Sequence, residues 1–156
     1  MSNDNRLDLT AFSERIATLR THVADNVVGQ SLPVHLLLTA LMADGHVLLE
    51  GVPGVAKTLL AKTLARLVRA DFRRVQFTPD LMPTDVLGTS IFNLGTQQFD
   101  FHPGPVFTQV LLVDEINRAP AKTQAALFEV MEERQVTLDG NTRRLDPCYL
   151  VIATQN

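Results

Sequence analysis

An α/β fold, with a parallel sheet covered on both faces by helices, is predicted by three features of this sequence. Short apolar segments of strand length alternate with segments whose apolar residues recur at three- and four-residue spacing, as buried strands linked by amphipathic helices require. A glycine-rich loop stands between one such strand and the helix that follows it. Another apolar strand ends in two adjacent carboxylates, Asp114 and Glu115.

The first element runs from about Leu9 to Val23, where Leu9, Phe12, Ile16, Leu19 and Val23 share one helix face. Residues 1–27 are expected to form an N-terminal helical segment with a frayed polar start, and residues 28–156 the core. A second helix opens near Pro33, which suits a first turn because it lacks an amide hydrogen, and runs through Leu36, Leu37, Ala40 and Leu41 until Gly45 ends it. Val47 to Glu50 reads as a short buried strand. Gly51-Val52-Pro53-Gly54 forces a loop, and Leu59, Leu60, Leu64, Leu67 and Val68 restore helical periodicity. Further strands are expected at Arg74–Phe77, Val110–Asp114 and Tyr149–Thr154, with a helix over Lys122–Arg134. Two stretches break the rhythm and read as β-hairpin inserts. One lies between Ile91 and Phe101 around Asn93-Leu94-Gly95-Thr96, the other between Val136 and Leu145 around Asp139-Gly140-Asn141.

The 156 residues, 46% hydrophobic and 20% charged, fit one globular domain. A net charge of −3 lacks the basic field that nonspecific nucleic-acid binding needs. The single Cys148 cannot form an intrachain disulfide, and it is expected as a small core residue before the last strand. No apolar run approaches the ~18 residues of a membrane-spanning helix, and no secretory signal is evident, so the cytoplasm is the expected location. His22, His35, His46 and His102 lack the spacing of a zinc site and read as structural or solvated.

The octet Gly51-Val52-Pro53-Gly54-Val55-Ala56-Lys57-Thr58 reads as a phosphate-binding loop with one departure, Ala56 in place of the glycine before the lysine. Such a loop turns backbone amides inward around phosphate oxygens at the positive end of the next helix. Lys57 is placed to reach the β- and γ-phosphates and the Thr58 hydroxyl to ligate Mg2+. Taken alone, the octet also fits a glycine turn with a solvated lysine. A buried strand would deliver Asp114 to its carboxyl end to hold the Mg2+ shell, with Glu115 polarising the attacking water. Two solvated acids at a strand end are an equally good reading of that pair by itself; the two motifs together favour the phosphate site. A polar amide at the end of the last strand, Asn156 in Ala153-Thr154-Gln155-Asn156, is a candidate partner for the γ-phosphate or the water.

The segments from Leu48 to Thr58, from Asp114 through Ile116, Asn117, Arg118 and Pro120 to Gln124, and from Met131 to Thr137 resemble the AAA+ ATPases, and within them the MoxR family. The resemblance extends from about Val28 to Asn156. It implies a P-loop NTPase with ATP and Mg2+ as cofactors and makes Ala56 a family marker. Gly51 to Leu59 then form the nucleotide loop, and Val28 and Gly29 lie near the adenine. Thr58 and Asp114 serve the metal, and Glu115, Lys57 and Asn156 the chemistry. The two hairpins match the family's inserts, so Arg143 and Arg144 are either client contacts or solvated. Arg118 either faces a neighbouring protomer or caps a local helix.

The family's sheet order, 5-1-4-3-2, and its helical lid imply a fifth strand, an arginine finger and a second sensor beyond Asn156, leaving the Val47–Glu50 strand at an edge. The implied function is Mg-dependent ATP binding and hydrolysis in a homo-oligomeric ring, a hexamer when complete. The ring would remodel a protein client, with a von Willebrand factor A domain as partner. The chain by itself is expected to bind nucleotide with little turnover. The alternatives are a noncatalytic interaction module built on the exposed edge and hairpins, or a motor on DNA, which the acidic balance disfavours.

Overall fold

The computed structural model of the chain describes residues 10, 13–18, 21, 31–51 and 57–155. Of the helix expected over Leu9–Val23, residues 10, 13–18 and 21 are described and are helical. Val28, Gly29, Val52 to Ala56 and Asn156 lie outside the described residues.

Helix α1 (Ser31–Met42) leads into strand β1 (Val47–Glu50), and helix α2 (Lys57–Leu67) leads into strand β2 (Phe72–Gln76). A short helix α3 (Pro83–Leu87) precedes the hairpin of β3 (Gly88–Asn93) and β4 (Gln98–Pro103). Strand β5 (Val110–Asp114), a 3-10 turn at Ile116–Arg118 and helix α4 (Ala121–Glu133) follow. A second hairpin, β6 (Gln135–Leu138) and β7 (Asn141–Arg144), leads to the last strand, β8 (Leu150–Gln155).

The main sheet has the order β1-β8-β5-β2, and every pairing in it is parallel. This is the expected arrangement of the four core strands. Among the described residues β1 pairs only with β8. Both hairpins form separate antiparallel pairs, as expected.

The sheet is covered on both faces because its central strands are apolar up to their carboxyl ends. All five residues of β5 are buried, and successive side chains enter opposite layers. Val110 and Leu112, with Leu150 and Ile152, pack against α1 and α2 through Val34, Leu37, Leu60 and Leu64. Leu111 and Val113, with Val151 and Ala153, pack against α4 through Leu127 and Val130.

Two elements and one residue depart from the sequence reading. β2 runs over Phe72–Gln76, two residues earlier than the expected start at Arg74. Phe77 ends the expected strand, yet its amide still donates to the Asp114 carbonyl (2.8 Å) and its side chain is buried. Helix α3 had no periodic signal because five residues are too few to display one. It starts with Pro83 in its first turn, and the Asp85 carboxylate accepts from the Met82 amide (2.8 Å). Cys148 is exposed, which corrects its assignment to the core: it precedes β8 in a turn whose Cys148 amide donates to Asp146 Oδ1 (2.8 Å).

The hairpins are anchored to each other. Phe101 of β4 meets Phe107 edge-on (5.5 Å between centroids), and the Arg143 guanidinium of β7 lies 3.9 Å above the Phe101 ring. Arg143 therefore has a partner within the chain. His46, just before β1, is structural: its Nδ1 accepts from the Val151 amide (3.1 Å), so Nε2 carries the proton and faces the Met131 carbonyl (3.3 Å).

Candidate functional site at the carboxyl edge of the sheet

In a parallel sheet every strand ends on the same edge, and ligands bind outside those carboxyl ends. Here that edge gathers Gly51 after β1, Gln155 at the end of β8, Asp114 at the end of β5 and Gln76 at the end of β2. Alternation decides which way their side chains point. Asp114 continues the row of Val110 and Leu112, and Thr154 that of Leu150 and Ile152, so both lie on the face covered by α1 and α2. Lys57 and Thr58 open α2 on that same face. With β8 between them, β1 and β5 are about 10 Å apart.

Gly51 has φ +139°, a conformation that L side chains rarely adopt, which explains glycine at the point where the chain leaves β1. The Lys57 ammonium donates to the Gly51 carbonyl (3.1 Å), so the two ends of the expected phosphate loop meet. The first turn of α2 contains no acidic residue, leaving its positive end uncompensated by a local carboxylate.

The two carboxylates are held differently. Asp114 is 8% exposed. Its Oδ2 accepts from Arg74 Nε (2.6 Å) and its Oδ1 from the Thr154 hydroxyl (3.2 Å). Glu115 sits in the left-handed region (φ 56°, ψ 51°), where the chain turns out of β5 into the 3-10 turn. Its amide donates to Thr154 Oγ1 (3.0 Å), and its Oε2 accepts from Gln76 Nε2 (2.9 Å) and pairs with Arg118 Nε (3.0 Å). Arg118 thus contacts its own chain's Glu115.

Sequence reasoning singled out Lys57, Thr58, Asp114 and Glu115 as candidates; it did not single out Arg74, Gln76 or Thr154, which contact the two acids. The available signal was the polar pair two residues apart in β2, since residues i and i+2 share a face. For Thr154 the signal was a hydroxyl inside an otherwise apolar strand.

Among the described residues no group of three or more His, Cys, Asp or Glu could hold a metal ion by itself. The donor set does fit Mg2+: a hydroxyl and one carboxylate are hard oxygen ligands, and this ion takes few protein ligands and completes its shell with water and phosphate. No helix among the described residues is long and apolar enough to cross a membrane.

This sheet order, with a glycine turn and lysine after the edge strand and an acidic pair after an inner one, is the architecture of a P-loop ATPase. Residues 46–156 match the family model of the ATPase family associated with various cellular activities (AAA). Chaperone MoxR1 of Mycobacterium tuberculosis is 56% identical over 130 residues, covering 83% of this chain and 34% of that protein. Protein MoxR of Methylorubrum extorquens is 36% identical over 154 residues, covering 95% of this chain and 44% of that protein. The crystal structure of a candidate ATPase from Cytophaga hutchinsonii superposes with a TM-score of 0.77 at 46% identity, covering 97% of this chain and 48% of that one. The chain belongs to the AAA family of ATPases, on its MoxR branch, and spans about a third to a half of the length of these relatives.

Proposed function

We propose that the chain is the nucleotide-binding core of a MoxR-type ATPase that binds Mg-ATP at the carboxyl edge of the sheet and, within the whole protein, hydrolyses it. The observation that carries this reading is the pair Asp114 and Glu115, fixed at the end of β5 beside the face where α2 begins with Lys57 and Thr58.

In this reading the backbone from Gly51 to Ala56, with Leu59 behind it, wraps the phosphates, and Val28 and Gly29 contact the base. Lys57 exchanges its contact with the Gly51 carbonyl for the β- and γ-phosphate oxygens. The Thr58 hydroxyl and the Asp114 carboxylate hold Mg2+, which when bound neutralises charge on the phosphates. Glu115 accepts a proton from the attacking water, and Asn156 orients that water. For the whole ATPase the corresponding proposal is a cytoplasmic ring, hexameric by family resemblance, that remodels or matures protein complexes with a von Willebrand factor A domain partner.

The test is a titration of labelled ATP with Mg2+ against the chain and its Lys57→Ala variant. Loss of a charge-assisted contact to phosphate is expected to weaken binding by at least about tenfold. Equal affinities overturn the phosphate-site assignment.

A further inference from the structure

We infer that Thr154 is a positioning residue whose hydroxyl links the metal-side carboxylate of Asp114 to the backbone of Glu115 and sets how the two acids face the nucleotide. The inference rests on the reading of this edge as an Mg-ATP site.

The geometry is a directed chain. A threonine hydroxyl has one proton to give and lone pairs to accept with. The Thr154 hydroxyl donates its proton to Asp114 Oδ1 (3.2 Å), and its own oxygen, Oγ1, accepts from the Glu115 amide (3.0 Å). Thr154 is 3% and Asp114 8% exposed, so the hydroxyl–carboxylate bond is buried, while the bond from the Glu115 amide is partly so.

The arrangement does two things to the site. With Oδ1 tied to Thr154 and Oδ2 to Arg74, the Asp114 carboxylate is fixed in plane and rotation. The paired register of β5 and β8 ends at Val113 and Ala153, one residue short of Asp114. Beyond it the Glu115 amide finds a side-chain acceptor, just where the residue takes its left-handed conformation. That conformation aims the Glu115 side chain, and Thr154 holds it there. Branching at Cβ restricts the Thr154 rotamer and keeps its oxygen in place.

The experiment uses the full chain and three variants, Thr154→Val, Thr154→Ala and Thr154→Ser, each checked for a cooperative melt. Mg2+ is titrated at fixed fluorescent ATP analogue, nucleotide affinity is measured without metal, and exchange of the Glu115 amide is followed by NMR in the ligand-free protein.

Removing the hydroxyl is expected to raise the Mg2+ midpoint about tenfold, in the range of lost outer-shell partners. Metal-free nucleotide affinity should stay within about twofold, because phosphate contacts are made elsewhere. Exchange of the Glu115 amide should speed up by at least about tenfold as its acceptor is lost. Ser should stay close to wild type in all three. Should Val not fold, Ala against Ser makes the same comparison.

A hydroxyl-less variant with the wild-type Mg2+ midpoint overturns the inference. So does a Ser variant as impaired as Val, which would make the methyl group the working part. If the wild-type chain binds no nucleotide at any Mg2+ concentration, the Mg-ATP reading fails, and the exchange rates still decide whether Thr154 holds Glu115.

Discussion

Glu115 carries two kinds of restraint that differ in worth. Its ion pair with Arg118, whose side chain is 62% exposed, is a solvent-screened contact of about 1 kcal/mol or less. The hydrogen bond from its amide to Thr154 Oγ1 is partly buried and holds the backbone from which the side chain projects. Changing the carboxylate should therefore leave the fold intact and act on chemistry. In the whole protein, if it is the ATPase proposed above, Glu115→Gln is expected to keep nucleotide affinity and to lower phosphate release by roughly a hundredfold or more, the usual contribution of a general base. Turnover close to wild type in a phosphate-release assay would remove Glu115 from that role. The acidic pair was legible in the sequence because an apolar strand ending in two acids is a local pattern. Arg74, Gln76 and Thr154 were not, because their contacts arise from lateral pairing of β2 and β8 with β5, and register between distant segments leaves no mark in one sequence.

Elements of the fold were readable to the extent that each carried its own period. β1, β5 and α4 match their expected limits to within one residue because apolar runs and helical spacing define them locally. β2 was displaced because Asp71, Arg73 and Arg74 dilute its apolar pattern. The second hairpin was announced by Asp139-Gly140, which take φ 52° and 74° in a two-residue connection, a turn that matches strand twist. The base of the first hairpin had no such announcement. There the chain folds back so closely that a Cβ on Gly104 would lie 2.3 Å from the Val86 carbonyl oxygen and 2.5 Å from the Gly88 nitrogen. A Cβ on Gly140 would meet nothing within 4 Å, leaving only the cost of its left-handed conformation. Gly104→Ala is therefore expected to cost about 3 kcal/mol or more by overpacking against backbone. Gly140→Ala should cost only about 1–2 kcal/mol. Urea unfolding of the two variants checks the order, and equal midpoints would show that the backbone at Gly104 yields.

At the scale of the whole molecule, the end of the sheet opposite its carboxyl edge is closed by a polar clasp. Arg134, the left-handed residue after α4, pairs with Asp44 (2.7 Å) and donates to the Pro147 carbonyl (2.8 Å), joining α4 to the turns before β1 and β8. Beside it, His46 bridges the Val151 amide and the Met131 carbonyl, with Tyr149 edge-on at 5.9 Å. Burial is the largest influence on His46 and lowers its pKa below the ordinary 6.5; Arg134 lowers it further, while the Met131 carbonyl and Asp44 act in the opposite direction. The neutral ring is the form that fits, because Nδ1 must accept from Val151 and cannot do so once protonated. The unfolded chain therefore takes up a proton on His46 at a higher pH than the folded one. The stabilising contribution is fully present above 6.5 and is lost as pH falls through the lowered folded-state value. His46→Gln removes the titrating group and much of the bridge. It is expected to melt below wild type at pH 7.5, with the gap in melting temperature narrowing steadily toward pH 5. A gap that stays constant over that interval would show that folding leaves the His46 pKa unshifted, and one that widens would show that the folded protein favours the charged ring; either outcome overturns the neutral bridge.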